Sequence, residues 1–108
     1  MENQGLLLND PLQRQQLFSN TISDLASQDC LKKAMRTIED AEAKKVWQGY
    51  PKERAKVYLH VIEKILEKGV HDNAVDLYIR AVEGNVWEGC AEQQQAAIQA
   101  LESVGYRL

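Results

Sequence analysis

A disulfide framework is missing from this sequence. Cys30 and Cys90, its two cysteines, stand sixty residues apart with neither a CxxC nor a histidine cluster beside them, which reads as two reduced, buried thiols. Long apolar runs are missing too: no stretch approaches the twenty or so residues that cross a bilayer. The opening Met1–Leu8 has no basic leader and too short an apolar run for a signal peptide, so the expectation is a cytoplasmic protein without membrane association. There is no GxSxG, no GxxxxGK[ST], no GxGxxG and no HExxH. Neither cysteine can be paired with His60 or His71 on sequence grounds, so the expectation is a protein that is not an enzyme and carries no cofactor.

Strand patterns are absent as well. No segment alternates apolar and polar residues with period two, whereas helical spacing recurs throughout, so the fold class is all-α. With 44% apolar and 27% charged residues in 108, the chain has the composition of one soluble domain with a modest core. We expect about five helices in residues 10–108, as an antiparallel bundle or a short helical-repeat stack, preceded by an arm at 1–9. Leu6, Leu7 and Leu8 make that arm apolar. Such an arm packs on its own domain, crosses to another copy or docks a partner.

Asn9-Asp10-Pro11 supplies a cap and a first-turn proline for a helix reaching Ser27, with Leu12, Phe18, Ile22 and Leu25 at helical spacing. After Ser27-Gln28-Asp29, the spacing of Leu31, Ala34, Met35, Ile38 and Ala41 predicts a second helix running toward Trp47, closed by Gly49-Tyr50-Pro51. The strongest pattern follows. Ala55, Tyr58, Leu59, Ile62, Ile65 and Leu66 share one face, widened by Val57 and Val61, which predicts a central helix touching more than one neighbour. Gly69 closes it. A fourth helix, capped by Asp72 or Asn73, carries Ala74, Val75, Tyr78, Ala81 and Val82 and stops at Gly84-Asn85; a fifth bears Cys90, Ala91, Ala97, Ile98, Leu101 and Val104.

One pattern echoes within the chain. Ile62-x-x-Ile65-x-x-x-Gly69 returns thirty-six residues later as Ile98-x-x-Leu101-x-x-x-Gly105, the mark of helices stacked side by side. Residues 55–88 resemble one tetratricopeptide repeat: Tyr58 stands at the early aromatic position, Gly69 at the turn, and Ala74, Tyr78 and Ala81 at the small–aromatic–small positions of the second helix. Ile62 stands where that family prefers a small residue and Val86 where a closing proline is common. Residues 1–50 do not fit the repeat. The resemblance implies protein–protein binding along the first helices of the hairpins, through Lys56, Leu59, Glu63 and Leu66, continued by Glu92, Gln95 and Gln99. Leu59 and Glu63 occupy two positions where some family members clamp a terminal carboxylate with Lys and Asn, which argues against that ligand.

Trp47, Tyr50 and Trp87 lie at helix junctions, where large aromatics either anchor a partner or fold back over the end of a bundle. His60, Glu63, Glu67 and His71 are poorly spaced for a metal, since Gly69 breaks the helix before His71. Charge is uneven: residues 29–56 are net +3 and residues 57–108 net −4. Lys32, Lys33, Arg36, Lys44, Lys45, Lys52, Arg54 and Lys56 therefore raise an alternative, a helical nucleic-acid-binding regulator using segment 32–56. Glu39, Asp40 and Glu42 interrupt that patch, and Asp72, Asp76 and Glu83 would repel phosphate from the fourth helix. The main expectation is an interaction protein: an adaptor, accessory subunit, chaperone-like factor or protein inhibitor, with homodimerisation compatible with its size.

Overall fold

The computed structural model describes residues 10–106, and among these it is built of five helices and no strand: α1 (Pro11–Ser27), α2 (Leu31–Ala43), α3 (Pro51–Glu67), α4 (His71–Glu83) and α5 (Ala91–Glu102). The arm containing Leu6, Leu7 and Leu8 lies outside the described residues. Helix α1 starts as its sequence implies. The Asp10 carboxylate accepts from the backbone N–H groups of Leu12 and Gln13 at 3.0 and 3.3 Å, and Pro11 occupies the first turn, where no N–H is needed.

The helices form two layers. Helices α1, α3 and α5 lie side by side, with α3 in the middle, while α2 backs α1 and α4 backs α3 and α5. Helix α3 touches all four others, as its wide apolar face requires: Ala55, Val57, Tyr58, Val61, Ile62 and Ile65 are all buried. Alanines set the close approach of the second layer. Ala34 and Ala41 on α2, and Ala74 and Ala81 on α4, are fully buried, which lets backbones approach while larger neighbours fill the remaining space. The result is a slab of 50 × 29 × 18 Å.

The structure repeats with a period of forty residues. Helices α1 and α3 begin forty apart, as do α3 and α5, and α2 and α4. The loops after α2 and α4 carry the same hydrogen bonds at the same offset: Val46 N–H to Ala41 O and Val86 N–H to Ala81 O, then Tyr50 N–H to Trp47 O and Cys90 N–H to Trp87 O. Each helix ends in a Schellman-type cap whose left-handed residue is Lys45 (φ 55°) or Asn85 (φ 59°). A further single turn closes at Gly49 (φ 86°) and Gly89 (φ 73°). These two glycines stand where a side chain would be strained despite open space around them. Between the two left-handed residues, each turn folds its Val-Trp pair inward, Val46-Trp47 and Val86-Trp87.

Three points differ from the sequence reading. Helix α2 ends at Ala43 rather than continuing toward Trp47, because Lys45 takes the left-handed conformation. Helix α4 begins at His71 with Val70 at its N-cap, so Asp72 and Asn73 lie in its first turn and neither caps it; after its end the left-handed residue is Asn85, not Gly84 (φ −89°). The thirty-six-residue echo is one helical turn short of the structural period. Since i and i+4 share a helix face, both offsets superpose apolar positions, but forty residues is the one that superposes the backbone.

Candidate functional site

The exposed ridge of α3 begins with Lys56, whose ammonium lies 3.9 Å from Glu53 on the preceding turn, and continues with Glu63, also exposed. Leu59 and Leu66 are half-buried on the same helix and pack against the core, so each presents only part of its side chain. On α5, Glu92, Gln95 and Gln99 are exposed and share a shallow hollow of about 480 Å³ with Ala91 and Ala96. The α3 residues do not line that hollow. The structure therefore places the two sets on adjacent helices of one layer as two strips rather than one cleft.

The aromatics divide differently. Trp47 and Trp87 are 4% and 5% exposed and belong to the core, so of their two expected roles the structure shows the fold-back, and neither ring projects as a free anchor. Trp47 packs at 6.2 Å from Tyr58, and Trp87 stacks at 5.7 Å on Tyr78. Their indole N–H groups meet different fates. Trp47 Nε1 donates to Ser19 Oγ at 3.0 Å, and Ser19 in turn donates to Gln15 Oε1 at 3.0 Å, a buried polar chain. Trp87 Nε1 is buried without a partner. Forty residues after Gln15 and Ser19 stand Ala55 and Leu59, which have no side-chain acceptor to offer. Tyr50 is half-buried at the N-terminus of α3.

A polar cluster joins α2 to α3. Arg54 grips Glu42 through two hydrogen bonds, Nε to Oε2 at 2.9 Å and Nη2 to Oε1 at 2.8 Å, and Tyr58 donates its hydroxyl to Glu42 Oε2 at 2.5 Å. Burial, reinforced by the bonded Glu42 carboxylate, pushes the Tyr58 hydroxyl well above the ordinary tyrosine range. Trp47, Lys45 and Gln48 complete a hollow of about 320 Å³ over Glu42 and Arg54. Sequence reasoning missed this cluster because it counted Arg54 toward a basic patch and Glu42 as an interruption of that patch, not as the partner of Arg54. The signal was available: once α2 and α3 are joined by a short turn, the end of one and the start of the other are neighbours.

A second feature missed by the sequence is the groove between α2 and α4. Leu31, Met35 and Ile65 make its floor, and Lys32, Asn73, Asp76 and Arg80 stand around it, enclosing about 220 Å³. The two helices do not pack directly; Arg80 reaches across to Glu39 at 3.1 Å. Basic segment 32–56 is partly neutralised where it lies. Besides Arg54, Lys44 pairs with Asp40 at 3.2 Å. Among the described residues no group of three His, Cys, Asp or Glu is arranged to hold a metal, and no helix is long and apolar enough to cross a membrane. His60 instead lies 3.4 Å from the Ser27 hydroxyl, on the α1 side of α3. Comparison with protein-family models, curated proteins and solved structures finds no match for the chain.

Proposed function

We propose that this protein is a small cytoplasmic interaction module, an adaptor, accessory subunit, chaperone-like factor or protein inhibitor, that binds a partner along the exposed strips of α3 and α5. The observation supporting this is the layer itself. Three helices lie side by side, and two of them present exposed polar side chains, Lys56 and Glu63 on one and Glu92, Gln95 and Gln99 on the next, while their apolar faces are spent on the core. A surface of that kind suits an extended or helical segment laid across it, with charge guiding encounter. The repeat-like hairpin of α3 and α4 is consistent with the tetratricopeptide resemblance, although the forty-residue period is longer than that family's thirty-four.

The nucleic-acid reading is weaker because Arg54, Lys44 and Lys56 are each engaged by an acid within 4 Å, leaving a discontinuous basic surface. To test the main reading, the purified chain is used as bait in lysate from its own source, beside a Glu63→Lys/Gln99→Lys variant. The expected result is one stoichiometric protein retained by the first and lost by the second, at unchanged helicity. Equal recovery by both baits, or retention of oligonucleotide alone at low salt, would remove this reading.

A further inference from the structure

The first Val-Trp turn closes against a helix of the first layer at a defined place. Trp47 donates its indole N–H to Ser19, one helical turn beyond Gln15 on α1, and both of those residues are buried. Forty residues on, the equivalent pair on α3 is Ala55 and Leu59, buried and half-buried, and the Trp87 indole has no acceptor. A third such pair stands on α5. It is Gln95 and Gln99, both exposed, and with Ala91, Glu92 and Ala96 they line the open hollow of about 480 Å³. Among the described residues α5 packs only against α3 and α4, so no described helix lies over this third pair.

We propose that the Gln95–Gln99 hollow of α5 is the docking place for a tryptophan of a partner protein, presented as Trp47 is, on a turn that leads into a helix. This rests on the interaction reading above and names what its α5 strip recognises. Continuity with the interfaces inside the molecule supplies the occupant. Between α1 and α3, and again between α3 and α5, the chain enters the next first-layer helix through a turn that folds a Val-Trp pair inward. The chemistry of the hollow then selects the ring. Gln95 repeats Gln15, and Gln99 carries an amide oxygen where Ser19 carries its hydroxyl, so an indole N–H arriving here donates to Gln99. Phenylalanine or leucine in the same place would strip water from the two amides and offer no hydrogen bond in return. A second copy of this chain is not the donor, because its Trp47 and Trp87 are only 4% and 5% exposed and belong to its own core.

The probe is the capped hexapeptide acetyl-Val-Trp-Gln-Gly-Tyr-Pro-amide, a copy of residues 46–51, titrated into the isotope-labelled chain and followed by NMR. At millimolar peptide, the side-chain amide signals of Gln95 and Gln99 and the backbone signals of Ala91 and Ala96 should move and saturate. Methylating the indole nitrogen should weaken binding about fivefold, the worth of one hydrogen bond. In Gln99→Leu, which gives α5 the residue that α3 has at position 59, the two peptides should bind alike. Gln99 is exposed, so that substitution leaves the fold intact. No movement at α5 up to the solubility limit of the peptide, equal binding of both peptides to the native chain, or a preference that survives Gln99→Leu would each overturn the proposal. So would self-association of the native chain that Gln99→Lys abolishes, since a second copy would then hold the hollow. The wider reading fails separately: a lysate protein kept by the native bait and lost from Glu63→Lys/Gln99→Lys would preserve it even where the peptide leaves α5 untouched.

Discussion

Trp47 hands its indole proton to Ser19 through a 3.0 Å hydrogen bond, whereas Trp87, forty residues on and in the same backbone turn, has no acceptor at all. The contrast extends through both units. In the first, Gln15 and Ser19 carry a polar chain into the core, and Glu42, Arg54 and Tyr58 tie the end of α2 to α3. In the second the corresponding residues are Ala55, Leu59, Val82, Gln94 and Ile98. Gln94 turns instead to the Tyr78 hydroxyl, 3.1 Å away. The main-chain bonds of the two turns coincide within a few tenths of an ångström, so backbone geometry is set by the caps and the inward Val-Trp pair. Side-chain pairing decides how specifically each unit holds its neighbour.

The most forceful way to break the comparison is to remove each indole. Trp47→Ala and Trp87→Ala should each cost about 3–5 kcal/mol in denaturant unfolding, with Trp47 the costlier because Ser19 also loses its donor. Next comes Glu42→Ala, which strands the half-buried Arg54 and the Tyr58 hydroxyl, and should cost about 1–3 kcal/mol by the same measurement. Conversion to phenylalanine keeps most of the ring and isolates the N–H. Trp47→Phe should destabilise by about 1 kcal/mol more than Trp87→Phe, which relieves an unpaired donor; equal losses would mean that the Ser19 bond contributes nothing.

Alkaline pH probes the same asymmetry more gently. The Tyr58 pKa is raised above the ordinary value of 10.0, so the folded state favours the protonated hydroxyl. That stabilisation is complete below pH 10.0 and is lost as pH rises past it toward the folded value. Stability should therefore fall above this pH, and less steeply in Tyr58→Phe, as read from unfolding midpoints. The smallest effect belongs to Val82→Glu. It copies the Glu42 position into a unit lacking the arginine, and because Val82 is exposed it should change monomer stability by no more than about 0.5 kcal/mol.

Helix positions were legible because their punctuation is chemical: Asp10 and Pro11 open one helix, Pro51 opens another, and Gly69 and Gly105 stand at left-handed sites. The forty-residue period was not read from apolar spacing because helical faces tolerate a shift of one turn. It was written instead in the loops, as Val46-Trp47-x-Gly49 and Val86-Trp87-x-Gly89. Lys45 in a left-handed cap carries no sequence flag, so α2 was expected to run too long. Of the α3 and α5 strips, Lys56, Glu63, Glu92, Gln95 and Gln99 are exposed as anticipated, whereas Leu59 and Leu66 are half-buried against the core. The Glu42 cluster and the α2–α4 groove were not anticipated, because both depend on which helices become neighbours, and sequence periodicity says which face is buried without saying against what.

Helix α3 makes contact with every other helix among the described residues. In a long array each element leans only on its immediate neighbours, and disorder can spread from one end while the other holds. Here the central rod belongs to both units at once, so neither can melt without exposing Val61 and Ile62, which have no solvent contact in the intact molecule. Amide hydrogen exchange should find its slowest protons in the middle of α3, released only by whole-molecule opening, while those of α5 escape through local fraying.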